Sequence, residues 1–258
     1  QLVRLARNGD WSAVASADAA LSGLTLDGSR LTYIGESFGS VLGAQVLALD
    51  PLLGSAVLDV AGGGIIVDLV GTSAQFAQLL QPFVAGAFDL LVDVNSPVEA
   101  PLHAQMSLGL VQTVVEPGDG LALAPAGDPG KHVLFIEAYS DETVPNHATE
   151  ALARAWNVVQ VTLSKKSRPT RVVDFMKVAA PYTVTSGGGV RALVQLDPAA
   201  HPMITQQEGE QGYLPDFPPF VKRTPPIPVI NPTEEVHALA VKWAESFRLT
   251  DTPTVIDP

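Results

Sequence analysis

The chain has 258 residues, enough to bury one substantial core and compatible with a single α/β domain carrying an insertion. It holds 15 Lys and Arg against 27 Asp and Glu, a net charge of −12, and so has little with which to neutralise phosphates; this argues against nucleic acid as a partner. With no cysteine, disulfides, thiolate catalysis and Cys-based metal sites are excluded.

Although 47% of residues are hydrophobic, no stretch reaches the roughly 18 uninterrupted apolar residues of a membrane helix. The richest run, Gly54 to Val70, is broken by Asp59 and Asp68. Gln1 to Trp11 lack the apolar core of a signal peptide. A leader removed earlier is still compatible with the sequence, so the compartment stays open, with a secreted or periplasmic protein slightly preferred to a cytoplasmic one.

Ala13 to Leu24 reads as a short helix, and Asp27-Gly28 as a turn. Arg30 to Gly35 reads as a strand and Ser37 to Leu49 as a helix, with Val41, Leu42, Gln45, Val46 and Leu49 at helical spacing. Gly54 to Val60 fits a central parallel strand buried on both faces. Thr72 to Leu91 and Pro97 to Val115 read as two helices, and Pro117 to Lys131 as a loop. His132 to Ala138 is a strand, Asn146 to Trp156 a helix, and Val158 to Leu163 and Val190 to Leu196 two further strands separated by an irregular stretch. The proline-dense segment from Gly209 to Thr233 is not regular structure, and Glu234 to Phe247 closes the chain as an amphipathic helix. Strands alternating with helices predict an α/β fold: a mostly parallel sheet flanked by helices. Gly62-Gly63-Gly64 follows a strand but lacks the residues of a phosphate loop or a dinucleotide fingerprint.

Gly35-Glu36-Ser37-Phe38-Gly39 is a G-x-S-x-G sequence lying between a predicted strand and a predicted helix. A serine at such a turn has strained backbone angles, and the small residues Gly35 and Gly39 let neighbouring backbones pass. The turn lifts the hydroxyl clear of the sheet, and the N–H of Phe38 becomes available to a developing oxyanion. Five-residue matches also arise by chance, and an idle serine in a glycine-rich turn is the plain alternative. A serine hydroxyl needs a base, and the base an orienting acid; for this elbow the chain order is Ser, acid, His. Asp141, after the strand 132–138, fits the acid, with Glu142 as its rival and Glu137 less suited within the strand. His201, beyond the strand 190–196, fits the base. His147 is its best rival; His103, His132 and His237 lie on predicted elements before the acid or on the last helix.

These stretches resemble the α/β-hydrolase superfamily, in particular its bacterial esterase and lipase-like members. Arg30 to Ser40 resembles the nucleophile strand and elbow, Asp141-Glu142-Thr143-Val144-Pro145 is similar to the acid turn, and His201 stands where the family places its base. The resemblance implies hydrolysis of a carboxylic ester or lipid by Ser37, Asp141 and His201 through an acyl-enzyme, without cofactor or metal. Amide or peptide cleavage, acyl transfer, or a non-catalytic binding module on the same fold are the alternatives. Only 36 residues precede Ser37, where the family has several strands and the loop giving the second oxyanion N–H. The expectation is therefore that residues 1–258 are the carboxy-terminal portion of one hydrolase domain, either proteolytically processed and completed by an amino-terminal companion fragment, the preferred reading, or given without the residues that precede them, with a swapped or homodimeric arrangement as the lesser option. Residues 65–125 form an expected helical insertion resembling a cap. Within it Phe76, Leu80, Phe83, Phe88 and Met106 are candidates for an acyl pocket or, more plainly, for core; Tyr213, Phe217 and Phe220 are candidates to border the site.

Overall fold

The computed structural model of the chain describes residues 12–17, 28–73, 99–139, 143–163, 175–184, 188–196 and 232–257, with the single positions 9, 76, 141 and 201. After a short helix α1 (Ser12–Ala17), strand β1 (Thr32–Glu36) leads into helix α2 (Phe38–Leu49), and β2 (Ser55–Asp59) into a π-helical turn, Ile65–Val70. Helix α3 (Glu99–Val115) and the short α4 (Gly120–Leu123) precede β3 (His132–Ala138), helix α5 (Asn146–Ala155), β4 (Val159–Thr162), β5 (Lys177–Ala179) and β6 (Arg191–Leu196); α6 (Thr233–Thr250) follows.

The six strands form one sheet in the order β1-β2-β3-β6-β4-β5 with every pairing parallel. β2 and β3 are buried along their whole length, as parallel strands covered on both faces require. One face packs Val57, Leu134, Ile136 and Val194 against Val236, Leu239 and Trp243 of α6. The other packs Leu58, Phe135 and Leu193 against Ala44 and Leu47 of α2 and Leu152 of α5. Trp243 reaches through to the sheet, donating its indole N–H to Ser55 Oγ at 2.9 Å.

Most predicted elements fall within a residue or two of their observed bounds. The predicted loop 117–131 instead contains α4 and two 3-10 turns, Glu116–Gly118 and Ala124–Ala126, because Asp119 accepts from the Leu121 N–H as a cap. β5 lies in the stretch read as irregular. The predicted helix 72–91, the distal part of the predicted helix 13–24, and Leu80, Phe83, Phe88, Glu142, Tyr213, Phe217 and Phe220 lie outside the described residues, except that 72, 73 and 76 are described. Met106 is 60% exposed, so it is not part of the core.

One carboxylate ties the exit from β2 to the segment ahead of β3. Asp119, fully buried, accepts from the N–H groups of Gly64 (3.1 Å) and Ile65 (2.7 Å) at the exit from β2. It also accepts from the Leu121 N–H at 2.9 Å and from the Gln112 side-chain amide at 2.9 Å.

Candidate active site

β1 ends one residue before Ser37 and α2 begins one residue after it. The turn between them is so tight that Ser37 takes φ 52° and ψ −121°, a conformation that L-residues other than glycine rarely adopt. Its N–H donates to the carbonyl of Asp59 at 3.0 Å, which fixes the elbow to the end of β2, and its own carbonyl accepts from Ser40 and Val41 in the first turn of α2. The N–H of Phe38 lies in that first turn, ahead of the helix's own hydrogen bonding, so it is oriented as a donor. Gly35 is required by space: a Cβ there would meet the Gly39 carbonyl oxygen at 2.7 Å. Gly39 is not, since a Cβ would find only Tyr33 Oη, at 3.8 Å; its contribution is its carbonyl, which accepts from the Tyr33 hydroxyl at 2.6 Å. The expectation that both glycines relieve crowding is corrected accordingly.

β3 and β6 are neighbours, and the pairing ends at Ala138 beside Leu196. Asp141 lies three residues past the first and His201 five past the second, so adjacent strand ends deliver both. His201 Nδ1 and Asp141 Oδ2 are 2.7 Å apart, and both residues are buried. The other Asp141 oxygen accepts from the N–H groups of Thr143 (2.7 Å) and Val144 (3.0 Å), so the carboxylate is held from both sides. Burial opposes a charge on the His201 imidazole, but the charge and hydrogen bond of Asp141, aided by the charge of Glu36, outweigh it and raise its pKa above 6.5.

The rival residues are occupied elsewhere. His147 is exposed and meets Thr72 Oγ1 at 2.8 Å. His132 opens β3 and accepts the Val190 N–H at 2.9 Å; His237 is exposed on α6, and His103 belongs to α3. Glu137 is buried on β3 and hydrogen-bonded by Gln195. Burial pushes its pKa up to about 8.

Ser37 Oγ has no hydrogen-bond partner among the described residues. The elbow and the imidazole share an electrostatic environment through Glu36, which precedes Ser37 and acts on His201. Asp59 was overlooked in the sequence. It ends β2 beside Glu36, only 2% exposed. Among the described residues no group of three His, Asp or Glu is arranged to hold a metal ion, and no helix is long and apolar enough to cross a membrane.

A parallel sheet between helical layers, a strained serine between strand and helix, and an acid and a histidine leaving successive positions along the same sheet edge decide the architecture. The fold is α/β, a parallel six-stranded sheet flanked by helices. No protein-family model and no curated protein matches the chain. Solved structures do. An acylaminoacyl peptidase from Pyrococcus horikoshii is similar at 10% identity and TM-score 0.37, over 75% of this chain and 26% of that one. A puromycin hydrolase is similar at 16% identity and TM-score 0.35, over 75% of this chain and 21% of that one. An esterase from Pyrococcus furiosus is similar at 14% identity and TM-score 0.35, over 78% of this chain and 58% of that one. The chain thus spans less than two thirds of each of these proteins.

Proposed function

We propose that this hydrolase fold is a serine carboxylesterase, lipase-like in its chemistry, with Ser37 as nucleophile, His201 as base and Asp141 as its orienting acid. The observation that carries the reading is the buried His201–Asp141 hydrogen bond on a sheet edge that also bears the strained Ser37. With Nδ1 held by Asp141, Nε2 is the nitrogen left to take the Ser37 proton as Oγ attacks the ester carbonyl. The Phe38 N–H stabilises the oxyanion, the alcohol leaves with the proton from His201, and water activated by the same imidazole releases the acid.

The reading includes an amino-terminal companion segment that lies against β1 and supplies a second oxyanion donor. It is supported by apolar surface left open at that edge. α2 contains no charged residue, yet Phe38, Leu42, Val46 and Leu49 are exposed along one side, and Ile34 of the edge strand β1 is 57% exposed. A helix apolar on all sides is normally buried on all sides.

A fluorophosphonate tests the chemistry. Labelling of the native protein, lost in Ser37→Ala, is expected; a folded, complete protein that does not label overturns the reading. Faster turnover of p-nitrophenyl esters than of anilides is expected, and the reverse would make it an amidase. An intact mass and a denaturing gel of the purified native protein should reveal a second polypeptide.

A further inference from the structure

Beneath the elbow lie two carboxyl groups that the proposed chemistry does not use. The parallel register sets Glu36 of β1 directly beside Asp59 of β2, so both side chains stand on the same face at the same end of the sheet. Asp59 is 2% exposed, and neither of its carboxyl oxygens has a hydrogen-bond partner among the described residues; Glu36 Oε1 is likewise buried without one. Side chains this deeply enclosed are normally satisfied. The backbone around them is fixed: the Asp59 carbonyl holds the Ser37 N–H, and Val60, at φ 47°, anchors its own N–H on the Ile136 carbonyl at 2.8 Å.

Two ionised carboxylates side by side in this setting would repel each other, and the donor that acts on Asp59 among the described residues, the Val60 backbone N–H, is already committed to the Ile136 carbonyl. One proton resolves both difficulties, since a neutral acid donates where a carboxylate accepts. We propose that Glu36 and Asp59 form a one-proton acid pair under the elbow, Asp59 donating and Glu36 accepting, and that the pair positions the remaining charge of Glu36 toward His201. The proton is shared and not transferred to substrate. Asp59 is the member that keeps it: burial first, then the charges of Glu36 and Asp141, raise its pKa well above the ordinary carboxylate value. Glu36 and Asp141 are the charged groups that act on Asp59, and Asp141 and Glu36 are those that act on His201, so the four groups form one coupled unit. Asp59 and Glu36 are positioning residues, acting on the imidazole and the elbow. Their effect on catalysis rests on the Ser37–His201–Asp141 reading; the proton itself does not.

Infrared titration of the intact chain tests the pair independently of activity. It is done in a Glu137→Gln background, because Glu137 is a second buried acid. A neutral carboxylic acid band at neutral pH is expected, lost as pH rises, absent when Asp59→Asn is added, and lost at lower pH when Glu36→Gln is added. If the band is missing at neutral pH, or survives Asp59→Asn, the pair does not exist. Should Asp59→Asn fail to fold, the Glu36→Gln shift decides alone: an unmoved band overturns the proposal. Where fluorophosphonate labelling occurs, Glu36→Gln should also move the acidic limb of the labelling rate to lower pH, because the imidazole loses a stabilising charge. An unmoved limb would refute the positioning role while leaving Ser37 as the nucleophile; loss of labelling in the native chain would refute the hydrolase reading while leaving the infrared band.

Discussion

His201 faces two demands that pull in opposite directions. Its raised pKa means the imidazolium–Asp141 pair stabilises the fold fully below about pH 6.5, and that contribution is lost as pH rises through the folded value. A general base must be neutral, so activity should rise over the range in which this stabilisation fades. The labelling rate should therefore show an acidic limb with a midpoint above that of free histidine, and Asp141→Asn should lower the rate by about 10⁴-fold, the scale on which amide substitution of an orienting carboxylate acts. Glu137 provides a cleaner linkage. Burial raises it to about 8, so between its ordinary 4.5 and that value the folded state retains a proton that the unfolded chain has released. Stability should fall by about 1.4 kcal/mol per pH unit across that window and level off above it. Glu137→Gln should flatten this slope, as urea unfolding at a series of pH values would measure.

Within the elements, α2 shows what a sequence pattern conveys and what it omits. Its bounds followed from apolar spacing and from Asp50-Pro51, but the need for Gly43 did not. A Cβ there would run into the Tyr33 ring and meet Leu58 Cδ2 at 2.8 Å, because the helix crosses β1 and β2 at this point. Gly43→Ala should cost about 1–3 kcal/mol, visible as a lower unfolding midpoint in urea with the slope unchanged. A lone glycine in an apolar helix gives no hint of the ring it faces, which is contributed by another element. The strand order is similarly long-range: β6 inserts between β3 and β4, and this insertion brings His201 within 2.7 Å of Asp141. The sequence named both residues through chain order and elimination, since local patterning says nothing of which strands become neighbours. Asp59 went unnoticed because it ends an apolar run, where a single carboxylate reads as the polar tip of a strand. Three-residue β5 is too short for any periodicity to register.

For the molecule as a whole, the exposed side of α2 and β1, the terminal strand of the sheet among the described residues, form one apolar liability. Unpaired strand edges and apolar stripes promote association. Leu42→Asp with Val46→Asp should therefore abolish co-purification of the proposed companion polypeptide, and should reduce any concentration-dependent mass of the chain alone in light scattering. The double variant places charge on the outer side of the helix, so the secondary structure should be retained in circular dichroism.

The fourfold grip of Asp119 has a bearing on how this scaffold tolerates change. A single side chain clasps the turn that leaves β2 and the turn that opens α4 like a drawstring, so two segments distant in sequence are pinned to each other by one carboxylate. Asp119→Ala would release both sides at once, and the urea unfolding midpoint should fall.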